Sequence, residues 1–87
     1  MRSWVYILKL SNGNFYIGST RNLKQRLFDH QNGKSGYTSK YLPIELKYSQ
    51  EFENYSDAFK SEQYLKKIKN KKVLEKIIET KNINIYR

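Results

Sequence analysis

Near the start of the chain apolar and polar positions follow a period of two. Trp4, Tyr6, Leu8 and Leu10 fall on one face of an extended segment and Val5 and Ile7 on the other, so Trp4–Leu10 reads as a strand. Asn14–Ser19 has the same character. Between the two stands Ser11-Asn12-Gly13, and Asn-Gly is the strongest short signal for a tight hairpin because both residues accept positive φ. An antiparallel hairpin is therefore predicted.

From Asn22 onward the period lengthens to that of a helix, predicted over Asn22–Asn32. Asn22 can cap its first turn, Gln25 supplies a capping-box-like partner, and Gly33 can end it. Leu23 and Leu27 form one stripe, with Arg26 and His30 on the adjoining one. Lys34–Leu42 is a polar loop that includes Gly36, Tyr37 and Lys40. Beyond Pro43, Ile44, Leu46 and Tyr48 alternate with Glu45, Lys47 and Ser49, so Ile44–Phe52 reads as a half-buried third strand. Ser56 is the expected cap of a second helix, Asp57–Lys69, with Ala58, Phe59, Leu65 and Ile68 as its core stripe and Asp57 suiting its positive end. A third helix over about Lys71–Glu79 buries Val73, Leu74, Ile77 and Ile78. The order ββαβαα gives an α+β domain, one unit over residues 1–87, in which helices flank a small, mainly antiparallel three-stranded sheet.

Charge narrows the choice of partner. The chain carries 17 Lys and Arg against 8 Asp and Glu, a net +9, which favours a polyanion, most commonly nucleic acid. A basic face kept for solubility is the plainer alternative. No segment combines a wide apolar face with a basic one, which argues against a membrane surface. The apolar run Trp4–Leu8 is too short for a signal peptide or a membrane span, so a soluble, cytoplasmic protein is expected. Without cysteine there is no disulfide and no thiolate zinc site, and the single histidine rules out a histidine cluster. A metal would rest on carboxylate and water oxygens, which points to Mg²⁺ or Mn²⁺.

Several polar residues sit poorly in a plain core. Glu62 follows Ala58 by four and precedes Leu65 by three, so it lies on the apolar stripe, where burial of a carboxylate is costly without a compensating cation or hydrogen bond. It is either a partner of Arg26 or a nearby lysine, or a metal ligand facing a cleft. Arg26 and His30, four apart, can pair with neighbours or together grip a phosphate. Tyr6 and Tyr16 stand on neighbouring strands, and Gly18 lets another group approach. A phenol ionises near pH 10, so it serves as a base only where cations stabilise the phenolate. Lys66, Lys67, Lys69, Lys71 and Lys72 form a basic cluster across a helix junction, either a solvated face or a phosphate track.

Trp4-Val5-Tyr6 followed by Tyr16-Ile17-Gly18 resembles the paired motif of the GIY-YIG nuclease superfamily. Asn22–Leu27 with His30 is similar to that family's helix, and Glu62 stands where its metal-binding glutamate is expected. The resemblance runs from about Trp4 to Lys72 and is nearest to stand-alone bacterial members similar to the front domain of excinuclease C. Trp4 replaces the first motif glycine, and Ser19 stands at or near the position where the excinuclease type carries lysine. Asn70 loosely matches an asparagine that several members place after the glutamate helix.

The resemblance implies a metal-dependent endonuclease acting on nucleic acid, DNA ahead of RNA, with one divalent ion, Mg²⁺ or Mn²⁺, held by Glu62. It implies that Tyr6 deprotonates or orients the attacking water and that Tyr16 supports it. Arg26 then stabilises charge on the transition state, and His30 orients water or phosphate. Gly18 is structural in the motif. These residues are expected to converge on one concave surface. Arg21, Lys24, Lys40, Lys66, Lys67, Lys69, Lys71 and Lys72 are expected to guide the phosphate backbone, with target choice left to DNA shape or a protein partner. Two other readings compete: a nucleic-acid-binding module of the same fold that cuts poorly without a partner, and an interaction domain for an acidic protein.

Overall fold

The computed structural model describes residues 2–34, 36–68 and 70–81. Its strands are β1 (Ser3–Lys9), β2 (Phe15–Thr20) and β3 (Glu45–Phe52), and its helices are α1 (Leu23–Gln31), α2 (Tyr55–Lys67) and α3 (Lys71–Thr80). A 3-10 turn over Thr38–Tyr41 lies in the loop between α1 and β3. The three strands form one antiparallel sheet in the order β2-β1-β3. The predicted α+β class and the ββαβαα order are those observed.

Local chemistry explains most element ends. Gly13 closes the hairpin at φ +87°, a conformation that glycine adopts without steric cost. Asn22 caps α1 by accepting from the Gln25 amide at 3.1 Å. The Gln25 side chain does not complete the box; it donates to Asp29 one turn on, at 3.0 Å. Gly33, at φ +72°, follows the end of α1. α2 starts earlier than predicted, because Asn54 rather than Ser56 is its cap and accepts from the Asp57 amide at 2.8 Å. Asn70 caps α3 through the Lys72 amide at 2.9 Å. That gives Asn70 a structural duty at a helix start.

The central strand is covered on both faces, which is why it reads as an almost unbroken apolar run. Val5 and Ile7 pack with Ile17, Tyr48, Leu65, Leu74 and Ile77, joining the sheet to α2 and α3. Tyr6, Leu8 and Leu10 pack with Ile44, and Leu23 and Leu27 of α1 close over them. Truncating a residue such as Leu65, fully buried here, typically costs about 2–5 kcal/mol through lost burial and a cavity.

Two packing expectations are corrected. Ile7 pairs with Tyr48 and Leu8 with Leu46, so Lys47 is an extra residue in β3, a bulge. The bulge resets the alternation, placing Ile44 in the α1-side cluster and Tyr48 in the cluster on the opposite face. Phe59, assigned to the core of α2, is 44% exposed and stacks on Tyr55 at 6.1 Å instead.

Candidate active site

Tyr6 points from β1 across β2, and the strand register sets Gly18 directly opposite it. A Cβ on Gly18 would come within 2.5 Å of the Tyr6 hydroxyl oxygen and 2.7 Å of its Cζ. The ring therefore crosses the edge strand at the one position that offers no side chain. The Tyr6 hydroxyl and His30 Nε2 are 3.0 Å apart, and His30 Nδ1 lies 2.7 Å from Thr38 Oγ1. His30 is fully buried, yet both ring nitrogens have partners, which is what makes its burial tolerable. Tyr16 completes an aromatic cluster, its ring 5.2 Å from His30 and 6.5 Å from Tyr6.

Electrostatics favours the uncharged forms of Tyr6 and His30. Burial pushes the Tyr6 phenol above its usual 10.0, with Tyr16, Glu62 and Tyr55 adding to the rise and Arg26 acting against it. Burial and then the Arg26 guanidinium hold His30 below its usual 6.5, opposed by Asp29. Arg26 is exposed on α1, so its cation is available to an anion while its field still reaches Tyr6 and His30.

Glu62 approaches from the other side. It projects from α2, is 8% exposed, and accepts a hydrogen bond from Ser19 through Oε1. Its Oε2 is 2.6 Å from the Lys66 ammonium. The Ser19 hydroxyl also lies 3.4 Å from the Tyr55 hydroxyl, and Arg21 sits 4.8 Å above the Tyr55 ring. Ser19 pairs with Val5 in the register, so it belongs to the α2 side of the sheet, whereas Tyr6 and Gly18 belong to the α1 side. Groups from both faces of the sheet thus lie about the edge strand β2, Tyr6 and Gly18 on the α1 side and Ser19, bonded to Glu62, on the α2 side. Glu62 remains near enough to raise the Tyr6 phenol.

The predicted phosphate-guiding residues differ in their surroundings. Lys66 is tied to Glu62, while Lys67, Lys72, Lys24, Lys40 and Arg21 are exposed; Lys69 lies outside the described residues. Lys71 is exposed too, with its ammonium 5.8 Å from the centre of the Phe15 ring.

Sequence reasoning missed three members of this constellation. Thr38 lay in a loop with no signal beyond polarity. Ser19 stood out only as a departure from the excinuclease pattern, and Tyr55 lay outside the predicted bounds of α2.

The model of the GIY-YIG catalytic domain matches residues 2–77, spanning every residue of this constellation. The chain belongs to the GIY-YIG family. A UPF0213 protein of Clostridium perfringens is 38% identical over 93% of this chain and 87% of its own length. One from Streptococcus pneumoniae is 33% identical over 97% of this chain and 86% of its own. The solution NMR structure of a UPF0213 protein from Bacillus halodurans superposes with a TM-score of 0.62 at 28% identity, covering 93% of this chain and 86% of that one.

The fold family implies a divalent metal, and the donor set can be tested against it. Among the described residues no three Asp, Glu or His side chains form a cluster. A single carboxylate cannot cage a metal ion, but it suits a hard ion that keeps several waters and takes its remaining oxygens from phosphate. Lys66 on Oε2 marks the face of Glu62 that a cation can reach. The residues fit Mg²⁺ or Mn²⁺ in that mode. Among the described residues no helix is long and apolar enough to cross a membrane.

Proposed function

We propose that this GIY-YIG domain is a metal-dependent endonuclease, similar to the front domain of excinuclease C, that hydrolyses phosphodiester bonds in nucleic acid, DNA ahead of RNA. The observation that carries the reading is the Tyr6–His30 hydrogen bond at 3.0 Å, set beside an available arginine and a carboxylate at one strand edge.

In this reading the attacking water gives its proton to the Tyr6 oxygen while the Tyr6 proton passes to His30 Nε2; the water oxygen bonds to phosphorus, the P–O3′ bond breaks, and the departing 3′-oxygen takes a proton from solvent water. Thr38 at Nδ1 holds the ring in the orientation this transfer needs. The raised Tyr6 phenol makes a free phenolate a poor description of the base, and the neutral imidazole is the better final acceptor. Arg26 stabilises the charge that builds on the phosphoryl oxygens; losing such a donor typically costs about 10²–10³ in rate. Glu62 would hold the divalent ion, which would supply Lewis-acid polarisation of the phosphate when bound. Ser19 fixes Glu62 Oε1 so that Oε2 faces outward. Tyr16 walls the pair from bulk water and contacts the phosphate.

The placement of Lys71 and Lys72 supports a polyanionic partner. Both sit in the first turn of α3, which has no acidic residue, where cations oppose the helix dipole at about 0.3–1 kcal/mol each. A bound phosphate backbone offsets that cost, and a face kept only for solubility would not need it there.

Two observations favour a second reading, a binding module that waits for a partner before cutting: burial favours the protonated Tyr6 phenol and Lys66 occupies Glu62. The test is a panel of labelled duplex, single-stranded, flap and branched DNA and RNA, incubated with Mg²⁺ or Mn²⁺ beside a Glu62→Ala control. Cleavage by wild type alone, leaving 5′-phosphate and 3′-hydroxyl ends, supports the nuclease. Tight binding without cleavage under any metal condition supports the module.

A further inference from the structure

A cleft of about 270 Å³ opens at the start of β2, beside the first turns of α3, lined by Asn14, Phe15, Tyr37, Ile68, Lys71 and Leu74. We propose that this cleft receives one unpaired base of the strand being cut, so that the domain selects DNA with an unstacked nucleotide near the scissile phosphate. The inference rests on the nuclease reading and adds a substrate class to it.

Four observations support it. The cleft falls just below the roughly 300–1,000 Å³ of sites that enclose drug-sized ligands, which suits a single heteroaromatic ring. Two of its lining residues are aromatic, and Ile68 and Leu74 belong to the packed core, so a planar apolar face finds matching surface. The Lys71 ammonium stands 5.8 Å from the Phe15 ring and 3.7 Å from where a Cβ on Gly13 would lie, at the hairpin turn, positioned for the phosphate attached to that base. Asn14 offers both a donor and an acceptor to a base edge.

The cleft is also joined to the candidate site. Tyr37 lies 6.4 Å from Tyr16 with nearly parallel rings, and Tyr16 lies 6.5 Å from Tyr6. Tyr37 is 52% exposed, but contact with Tyr16 and with Tyr41, 5.1 Å away, orients its ring in advance, which lowers the entropy lost when a base stacks on it. A strand whose phosphate reaches Tyr6 therefore passes this platform within neighbouring nucleotides. Bases inside an intact duplex are held by pairing and stacking, and extrusion is easiest where a base is mismatched or already single-stranded.

The test is metal-free binding of a single-stranded oligodeoxynucleotide and a blunt duplex, read by fluorescence anisotropy, for wild type, Tyr37→Ala and Tyr37→Phe. Loss of one base–aromatic stack predicts roughly a 5- to 150-fold weaker grip of Tyr37→Ala on the single strand. Duplex affinity should barely change, and Tyr37→Phe, which keeps the ring, should track wild type. A 2-aminopurine reporter in the single strand should lose fluorescence on binding wild type but not Tyr37→Ala. Equal losses on both ligands, or none, overturn the base cleft while leaving the nuclease reading intact. If the Tyr37 effect appears but wild type cuts nothing with Mg²⁺ or Mn²⁺, the nuclease reading fails and the base cleft stands.

Discussion

The Tyr6 hydroxyl rests over Gly18, so close that a single added carbon on the glycine would meet it at 2.5 Å. Tyr6 reaches His30 only because the neighbouring strand has no side chain there. Gly18→Ala should displace the Tyr6 ring, break its bond to His30 and destabilise the fold by about 1–3 kcal/mol, as overpacking in a tight core does. Tyr6→Phe relieves the nearest of these contacts, so the two changes together should cost less than the sum of each alone. Thermal unfolding of the three variants measures this; costs that add to within about 0.5 kcal/mol would show the two positions to be independent.

His30 makes a pH prediction whose sign is fixed. Its imidazole is held below 6.5 in the folded chain, so between the folded value and 6.5 the unfolded chain binds more protons. The stability it contributes is complete above pH 6.5 and is lost as pH falls through the folded value. Urea midpoints for wild type should therefore fall on acidification below pH 6.5 more steeply than those of His30→Gln. Parallel curves would contradict the assignment.

Lys66 competes for the carboxylate that the nuclease reading gives to metal. At 2.6 Å it neutralises Glu62, yet its half-exposed side chain limits the pair to about 0–1 kcal/mol of stability. Lys66→Met should leave the melting temperature nearly unchanged and tighten Mn²⁺ binding measured by calorimetry, and Glu62→Gln should abolish that binding. If Lys66→Met binds Mn²⁺ no better than wild type, the lysine does not guard the site.

The exposed cations should make binding strongly salt-dependent. On B-DNA the log–log slope is about −0.9 for each phosphate neutralised, and replacing both Lys67 and Lys72 by alanine should make it shallower by roughly two contacts. An unchanged slope would place the backbone elsewhere on the surface.

Much of the fold was legible because local signals agreed with the packing. Asn12-Gly13 specified the hairpin, Asn22 and Gly33 bounded α1, and the α3 stripe named its own buried residues. What escaped was decided by tertiary context. The Lys47 bulge leaves no mark in a simple alternation, and Phe59 looks like core until Tyr55 takes it as a stacking partner. At the site, the motif order drew attention to Tyr6, Tyr16, His30 and Glu62, but not to their arrangement. That Ser19 binds Glu62 from one face while Tyr6 crosses Gly18 on the other follows only from strand register. Thr38, which orients His30 from a loop, had no period to betray it.

The most direct test of the nuclease claim separates binding from chemistry in three purified proteins. Single-turnover cleavage of a labelled DNA with Mg²⁺ is compared with metal-free affinity for the same DNA in wild type, Glu62→Ala and Arg26→Ala. Glu62→Ala should bind as well as wild type or slightly better, because a negative charge has been removed, and should not cut. Arg26→Ala should bind modestly less well and cut at least about a hundredfold more slowly, because its cation matters most where charge develops. Equal cleavage by wild type and Glu62→Ala would contradict the account and place the activity outside this site.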